Sequence, residues 1–552
     1  MTICPADWLA QDPDPQTRQT LTDLLARAET GDTEAQAELA QAFSGPLTFG
    51  TAGLRAALGP GPARLNQVVV MQAAAGFADW LLGHGAHPGD AVLIGYDARH
   101  KSADFATATA EVMAGAGLRP IMTDRPVPTP VLAFGVVHLG CAAGVQVTAS
   151  HNPATDNGYK VYLGDGCQIV PPADAEIAAL IAARAALPLS AIALSKQYET
   201  IGDSLITAYV HRIADQFAPA TANLEGPSEV VWAYTAMHGV GTALIDEVVA
   251  ATHLPAPVTV AEQARPDPDF PTVEFPNPEE PGAMDMVIKL AQQVGADLAI
   301  ATDPDADRCA LAAPIDGAWR RLSGDEVGAL LADDALRRQV PGVLAASIVS
   351  STMLADMAAA AGRRFVTTLT GFKWIGRVPH LGFGYEEAIG YCCDPEAVRD
   401  KDGISATAAL LRLAGQLKAD GQTIADALES IDQRFGVHAT SQHSLRVPQI
   451  SLIADMMAKL RSDPPTQLGG VAVAVTDLAV GGALPATDGL LFAGEKVRVV
   501  VRPSGTEPKL KCYLQARQPA GAPDLAASRA AAADMVWQLW CDMARALGVQ
   551  PE

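Results

Sequence analysis

The feature that most constrains this chain is a serial alternation of short apolar runs, turn signals and alanine-rich helical stretches, beginning near residue 90. AVLIGYDAR reads as a strand and turn, SADFATATAEVMAGAG as a helix, and GVQVTASHNP as a strand running into a loop. The pattern recurs at EVVWAYTAMHG with the following TALIDEVVAAT, and again at DLAIATDPDADR. Strand–loop–helix units in series imply mostly parallel α/β sheets. Residues 13–43, with Leu21, Leu24, Leu25 and Ala28 at helical spacing and a break at Gly31 and Asp32, predict two short helices ahead of the first sheet. The last hundred residues differ: strands VAVAVTDL, KVRVVVRPS and LKCYLQA precede a closing alanine-rich helix, an α+β pattern. Residues 266–282, rich in proline and acid, read as a long ordered loop, and another break falls near residues 436–447.

A chain of 552 residues exceeds one hydrophobic core, so roughly three to five domains are expected. Its net charge of −23 argues against a nucleic acid or an anionic membrane as partner. An anionic ligand must then be held by a local nest of Arg, Lys and backbone N–H groups, since salt at ~0.15 M screens the overall charge beyond roughly 8 Å. The eight cysteines lack metal or redox spacing, with Cys392 and Cys393 adjacent, and read as reduced thiols. The N-terminus shows no basic region followed by an apolar run, and the longest apolar stretch, around residues 131–147, contains His138 and several glycines. A cytoplasmic protein is the expectation.

Three segments carry chemistry. In ATDPDADR, after an apolar strand, Asp303, Asp305 and Asp307 sit two residues apart in a turn, the oxygen-rich grouping that hard divalent cations prefer. A calcium loop also begins D-x-D-x-D, but its sixth position should be Gly and is Arg308, and its twelfth should be Glu and is Pro314. An acidic surface turn is the competing reading; three carboxylates from one turn would leave coordination positions open for a substrate-side oxygen. In TASHNP, Ser150 precedes His151, and from an extended loop these neighbours should point in different directions; a turn with polar caps is the plain alternative. NGYK places Gly158 and Lys160 nearby. In RPSGTEPKLK, Arg502, Ser504, Gly505 and Thr506 offer a guanidinium fork, two hydroxyls and a close-approaching backbone, with Lys509 and Lys511 behind them, favouring a phosphate cradle over a simple β-turn. Gly239, Val240 and Gly241 mimic the start of a dinucleotide fingerprint, but Leu244 replaces its last glycine, and the segment reads as a tight turn.

TASHNP, NGYK, DPDADR, GYEEAIGY and RPSGTEP, in this order, resemble the α-D-phosphohexomutase superfamily, and LTFGTAGLR at residues 47–55 resembles its N-terminal signature. TLTGFKWIG, YEEAIGY and DKDGISA are most similar to the branch holding phosphopentomutases, glucose-1,6-bisphosphate synthases and related bacterial phosphoglucomutases. The resemblance implies four domains around a central cleft, three sharing a mixed α/β sheet and a smaller α+β domain at the C-terminus. They would occupy residues 1–204, 205–317, 318–435 and 436–552. It implies a phosphorylated Ser150 as nucleophile, Arg55 at the active site, and Mg²⁺ held by Asp303, Asp305, Asp307 and an oxygen of the phosphoserine. Arg308 and Lys373 would contact substrate, Glu386 and Glu387 would select the sugar, and the loop at Arg502, Ser504, Gly505 and Thr506 would bind phosphate. Many hexose mutases have Ser two places after the first Glu, where this chain has Ala388, so strict glucose or mannose selectivity does not follow.

The implied activity is interconversion of a sugar 1-phosphate and 6-phosphate, glucose foremost, through a bisphosphorylated sugar that also primes the enzyme. Alternatives are a phosphopentomutase, a glucose-1,6-bisphosphate synthase, or a non-catalytic relative. Lys160 is the expected general base, its reference pKa of ~10.4 depressed by like-charge repulsion from Arg55, with His151 and Lys373 as weaker candidates and His151 assigned to orienting Ser150. The partner is a small phosphosugar, and the chain is expected as monomer or homodimer.

Overall fold

The run Ala91–Tyr96 is buried at all of its positions, which places it inside a sheet covered on both faces. A computed structural model describes residues 4–218, 230–447, 449–504 and 509–551, and the chain divides into two units. The first comprises Met1–Pro314, Trp319–Arg321 and Gly390–Lys418; the second comprises Ile315–Ala318, Leu322–Ile389 and Ala419–Glu552.

In the first unit one sheet runs in the order Leu54–Ala57, Asp156–Leu163, Ala143–Val147, Ala91–Tyr96, Arg119–Thr123, Glu199–Ile201. Its four strands from Ala143–Val147 onward are mutually parallel, as the strand–helix alternation requires, whereas Asp156–Leu163 lies antiparallel to both of its neighbours. The sheet is therefore mixed: the chain leaves Val147 through a short loop and turns back directly, too short a connection for a parallel crossover. A second sheet places Trp232–Thr235 parallel to Leu298–Thr302 and to Val258–Thr259, with Cys309–Ile315 returning antiparallel against Leu298–Thr302. Both sheets thus deliver a strand, a loop and an immediate hairpin return, and the two loops carry the chemistry.

Ahead of the first sheet stand three helices, Pro5–Gln11, Pro15–Glu29 and Thr33–Ala42, one more than expected. Pro5 and Pro15 open their helices at positions where a missing N–H costs nothing, and the Asp14 and Asp32 carboxylates cap the second and third. Trp8 is buried with its ring edge-on to Phe43 at 6.2 Å, so the first helix is held by the chain that follows the third. Residues 266–282 contain only turns and bends, the ordered loop expected from their composition.

In the second unit, Phe365–Thr368, Val343–Ser347 and Leu381–Glu386 form a parallel array. A wholly antiparallel sheet follows in the order His438–Arg446, Lys509–Arg517, Val497–Pro503, Leu490–Ala493, Ala474–Asp477, and the helices Ile450–Ser462 and Leu525–Leu547 contribute to its core. This is the α+β pattern expected of the last hundred residues. Three α/β sheets and then one α+β sheet, in chain order, match the fold class expected. Among the described residues, no helix is long and apolar enough to cross a membrane.

Candidate active site

Ser150 lies at the carboxyl end of the buried parallel strand Ala143–Val147, where α/β sheets concentrate their ligand sites. Its backbone takes φ = 52°, a left-handed conformation that costs a non-glycine residue energy and is common at functional loops. The expectation that Ser150 and His151 diverge assumed an extended loop. With Ser150 left-handed the two side chains converge, and His151 Nδ1 lies 3.1 Å from Ser150 Oγ. The hydroxyl donates to Asp303 Oδ2 at 2.7 Å, across 153 residues of sequence.

What holds this loop is Arg99, a residue the sequence reading passed over. Its Nη2 donates to the carbonyls of Ser150 and Asn152, both at 2.6 Å, and its Nη1 to those of Pro153 at 2.7 Å and Asp156 at 3.2 Å. Asp97 balances the guanidinium at 3.4 Å, and the Phe270 ring lies 4.8 Å from its centre. Four convergent carbonyls leave the loop little freedom to relax. Arg55 contributes from the edge strand Leu54–Ala57, donating to Asn152 Oδ1 at 3.0 Å.

The three aspartates occupy the turn between Leu298–Thr302 and Cys309–Ile315, all of them buried. The turn is tied by the Ala306 N–H to the Asp303 carbonyl at 2.8 Å and by the Arg308 N–H to Asp303 Oδ1 at 3.1 Å. Gly239 packs so closely that a Cβ there would sit 2.2 Å from Pro304 Cα, so the segment that mimics a dinucleotide motif instead seats the acidic turn. One carboxylate oxygen from each aspartate falls within 4.8 Å of the other two. Asp305 Oδ1 and Asp307 Oδ1 are buried yet accept no hydrogen bond among the described residues. Burial, with the charges of Asp305 and Asp307, pushes the Asp303 carboxyl well above its ordinary range. Converging hard oxygens, two without hydrogen bonds, and crowded negative charge are what a divalent cation satisfies, and the donor set fits one.

Cations surround the turn. Lys160 Nζ donates to Asp305 Oδ2 at 2.6 Å and Asp307 Oδ2 at 2.8 Å. The expected depression of Lys160 is overturned: burial does pull its ammonium down, and Lys401 and Arg55 add repulsion, but Asp305 and Asp307 outweigh them and the net shift is upward. That direction favours the charged ammonium and weighs against the general-base expectation. His151 shifts the other way, well below its usual value, through burial and then the charges of Arg308 and Arg55, which leaves a neutral imidazole beside Ser150. Arg308 spans Glu279 at 3.6 Å and Asp307 at 4.0 Å. Despite its burial, Asp307 is held well below the carboxylate range by Lys160, Lys401 and Arg308.

Lys401 is a second residue the sequence reading missed. Its Nζ lies 3.4 Å from Asp307 Oδ2 and 3.3 Å from Asp400 Oδ1. Asp400 also accepts from the Tyr162 phenol at 2.8 Å, and Asp402 from the Tyr209 phenol at 2.8 Å. DKDGISA was legible as a family landmark; its signal for function was an acid–lysine–acid triplet directly ahead of the largely apolar helix Gly403–Ala419.

The second unit holds the remaining expected residues. Glu386 ends the strand Leu381–Glu386, and Glu387 follows it, accepting from Ser347 Oγ at 3.0 Å and Ser350 Oγ at 3.1 Å. Burial, then the charges of Glu386 and Asp325, raise the Glu387 carboxyl to about 7. Arg502 lies near the end of Val497–Pro503 and hydrogen-bonds Tyr513, whose phenol is raised by burial and by Glu387. Ser504 N–H donates to the Lys509 carbonyl at 2.8 Å. Lys373 stands on the short helix Phe372–Ile375. Gly505 and Thr506 lie outside the described residues.

Comparison with known families matches phosphoglucomutase/phosphomannomutase alpha/beta/alpha domain I at residues 46–187, domain II at 207–314, domain III at 323–435, and the C-terminal domain at 461–532. The chain belongs to the phosphoglucomutase/phosphomannomutase family. This family member is 45 % identical to a Haemophilus influenzae protein named "Probable phosphomannomutase", over 82 % of this chain and 93 % of that protein. It is 34 % identical to the human phosphopentomutase, over 94 % and 92 %, and 34 % identical to a Staphylococcus epidermidis phosphoglucomutase, over 85 % and 90 %. The fold is shared with the open form of the Paramecium pp63/parafusin phosphoglucomutase, at a TM-score of 0.70 and 19 % identity over 93 % of this chain and 97 % of that one. The mutase is accordingly a phosphotransferase of the α-D-phosphohexomutase superfamily. The three helices of its N-terminus precede the part of the chain that the family match covers.

Proposed function

We propose that this mutase interconverts glucose 1-phosphate and glucose 6-phosphate through a phosphorylated Ser150 and a glucose bisphosphate intermediate. The observation that carries the reading is the 2.7 Å contact between Ser150 Oγ and Asp303 Oδ2, which puts the hydroxyl at the edge of a buried three-carboxylate cluster. Support for a hexose comes from two adjacent carboxylates, Glu386 and Glu387, able to accept from neighbouring ring hydroxyls, and from the relative named phosphoglucomutase.

Asp303, Asp305 and Asp307, with an oxygen of the seryl phosphate, would hold Mg²⁺, which when bound supplies Lewis-acid charge neutralisation at the phosphoryl group. The protein's own residues do the rest. A sugar hydroxyl attacks phosphorus as the bond to Ser150 Oγ breaks; the hydroxyl's proton must leave and the serine oxygen must be protonated. Neutral His151, 3.1 Å from that oxygen, takes up the seryl proton when Ser150 attacks a phosphoryl group and, once protonated, returns it when the phosphoryl group departs, so the proton lost by one hydroxyl balances the one gained by the other. Lys160, Arg55 and Arg308 supply fixed positive charge in a buried site, where it is worth far more than in water. Arg502 and Ser504 bind the non-reacting phosphate, and the bisphosphate reorients before its second phosphoryl group returns to Ser150. A cytoplasmic setting belongs to this reading, in keeping with eight free thiols.

A second reading, conversion of ribose or deoxyribose 1-phosphate to the 5-phosphate, draws on Ala388, where a hydroxyl contact to the hexose is lost, and on the similarity to the human phosphopentomutase. Turnover of glucose 1-phosphate and ribose 1-phosphate, measured side by side, separates the two. Ser150→Ala should abolish phosphoryl transfer from glucose 1,6-bisphosphate to the protein, read as the mass of the phosphorylated chain; substantial retained turnover would remove Ser150 as nucleophile.

A further inference from the structure

Residues 347–352 leave the parallel strand Val343–Ser347 and enter the helix Met353–Ala360, and they are gripped from both sides within the second unit. On one side stands the antiparallel C-terminal sheet. Arg498, on the strand Val497–Pro503, donates through Nη1 to the Ser350 carbonyl at 3.2 Å and through Nη2 to the Ile348 carbonyl. Gln515, on the adjacent strand, exchanges two hydrogen bonds with Thr352, at 2.7 and 3.2 Å. Ile348 and Val349 pack against Val500 and Tyr513 of the same two strands.

On the other side the segment holds Glu387. Ser347 Oγ and Ser350 Oγ both reach Glu387 Oε2, they lie 2.9 Å from each other, and Ser350 Oγ accepts from the Glu387 N–H at 3.1 Å. Asp325 fixes the next residue, accepting from the Ser351 N–H at 2.7 Å, and also takes the Tyr385 phenol at 2.9 Å and the Thr440 hydroxyl of the C-terminal sheet at 2.9 Å. Arg498 and Arg502 are four residues apart on one strand, hence on one face of it. Tyr513, which packs on Ile348 and Val349, is the partner of Arg502.

We propose that Arg498 is a positioning residue: by clamping residues 347–352 it sets the Ser347 and Ser350 hydroxyls that aim the Glu387 carboxylate, tying the placement of the phosphate-loop strand to that of the sugar-selecting glutamate. A half-buried carboxylate with two fixed donors presents its second oxygen in one direction; without them it rotates, and the hydroxyl it should meet finds no aligned acceptor. The two recognition elements, separate in sequence by more than a hundred residues, are then adjusted together. This rests on Glu387 contacting the sugar, as in the proposed function.

The test uses the full chain with Arg498→Met, Arg498→Lys, Ser350→Ala and the double variant Arg498→Met/Ser350→Ala. Arg498→Met and Ser350→Ala should each raise the KM for glucose 1-phosphate roughly tenfold, the worth of one or two neutral hydrogen bonds, with kcat changed less than about threefold. Arg498→Lys should recover part of the loss, and the double variant should be little worse than Ser350→Ala, because both act through the same hydroxyl. Additive losses, or an unchanged KM, would overturn the relay. A second measurement does not depend on turnover: hydrogen exchange at the Glu387 amide, whose acceptor is Ser350 Oγ, should quicken roughly tenfold in Arg498→Met. Exchange at the wild-type rate overturns the clamp whatever the substrate. If the wild-type chain turns over neither glucose nor ribose 1-phosphate while exchange responds as expected, it is the mutase reading that fails and the clamp that stands.

Discussion

Replacing Glu387 with glutamine should stabilise the second unit while impairing substrate binding. The Glu387 carboxyl is raised from its ordinary 4.5 to about 7, chiefly by burial and then by the charges of Glu386 and Asp325, against a smaller opposing effect from Ser347. Between those two values the folded chain keeps a proton that the unfolded chain has released. Stability therefore falls as pH rises through that window, and the full cost is reached above about pH 7. At about 1.4 kcal/mol per unit, the shift corresponds to about 3 kcal/mol, and to about 2 kcal/mol after allowance for the side chain's remaining solvent contact. Glutamine keeps an oxygen for the Ser347 and Ser350 hydroxyls without the charge, so Glu387→Gln should gain about that amount at pH 8 and nothing below pH 4. Because a chain of several domains does not unfold in one step, the gain is best read locally, as slowed hydrogen exchange in the strand Leu381–Glu386 at pH 6, 7 and 8, with intrinsic rates corrected for pH. A stability difference that does not vary with pH, or a variant less stable than wild type at pH 8, would refute the reasoning. A site that holds an unfavourable charge does so for what the charge binds, and the KM for the sugar phosphate should rise at least fivefold in the same variant, the worth of about one hydrogen bond.

Arg99→Met removes the donor shared by four carbonyls and leaves Asp97 buried without its partner, so stability should fall by on the order of 3 kcal/mol and phosphoryl transfer by at least about a hundredfold, with Arg99→Lys recovering part of each; denaturant unfolding and single-turnover kinetics check this. Asp305→Asn should weaken divalent-ion affinity by about tenfold or more in calorimetric titration, and turnover lost to a chelator should return on adding Mg²⁺. Gly239→Ala places a methyl group against Pro304, which should cost about 1–3 kcal/mol and loosen the acidic turn; an unchanged ion affinity would show that Gly239 does not seat it. Trp8→Ala should release the first helix, seen as rapid proteolysis ahead of residue 15, and a loss of about 3–5 kcal/mol is expected if that helix unfolds only with the first sheet.

The strand–helix alternation was sufficient to read the parallel part of both sheets in the first unit, because a crossover leaves a periodic trace in sequence. The antiparallel returns at Asp156–Leu163 and Cys309–Ile315 leave none: a buried strand is apolar whichever way it runs, and only the short connection betrays it. The same limit applied to the site. The side chains that stand at loop tips, Ser150 and the three aspartates, were legible because a polar cluster directly after an apolar strand is locally unusual. Arg99 and Lys401 were not, because each acts on a group far away in sequence: Arg99 on carbonyls some fifty residues on, Lys401 on Asp307 almost a hundred residues back. The electrostatic sign of Lys160 was missed for a related reason. The resemblance sets Arg55 at the active site and so suggested repulsion, whereas the tertiary fold sets the ammonium on two carboxylates more than 140 residues distant. Charge balance in a buried cluster is a sum over all neighbours, and for Lys160 the attraction of Asp305 and Asp307 outweighs burial and the repulsion of Lys401 and Arg55. The neutral imidazole of His151 follows from burial and the charges of Arg308 and Arg55, and the charged ammonium of Lys160 from Asp305 and Asp307, groups that only the fold brings to the serine loop.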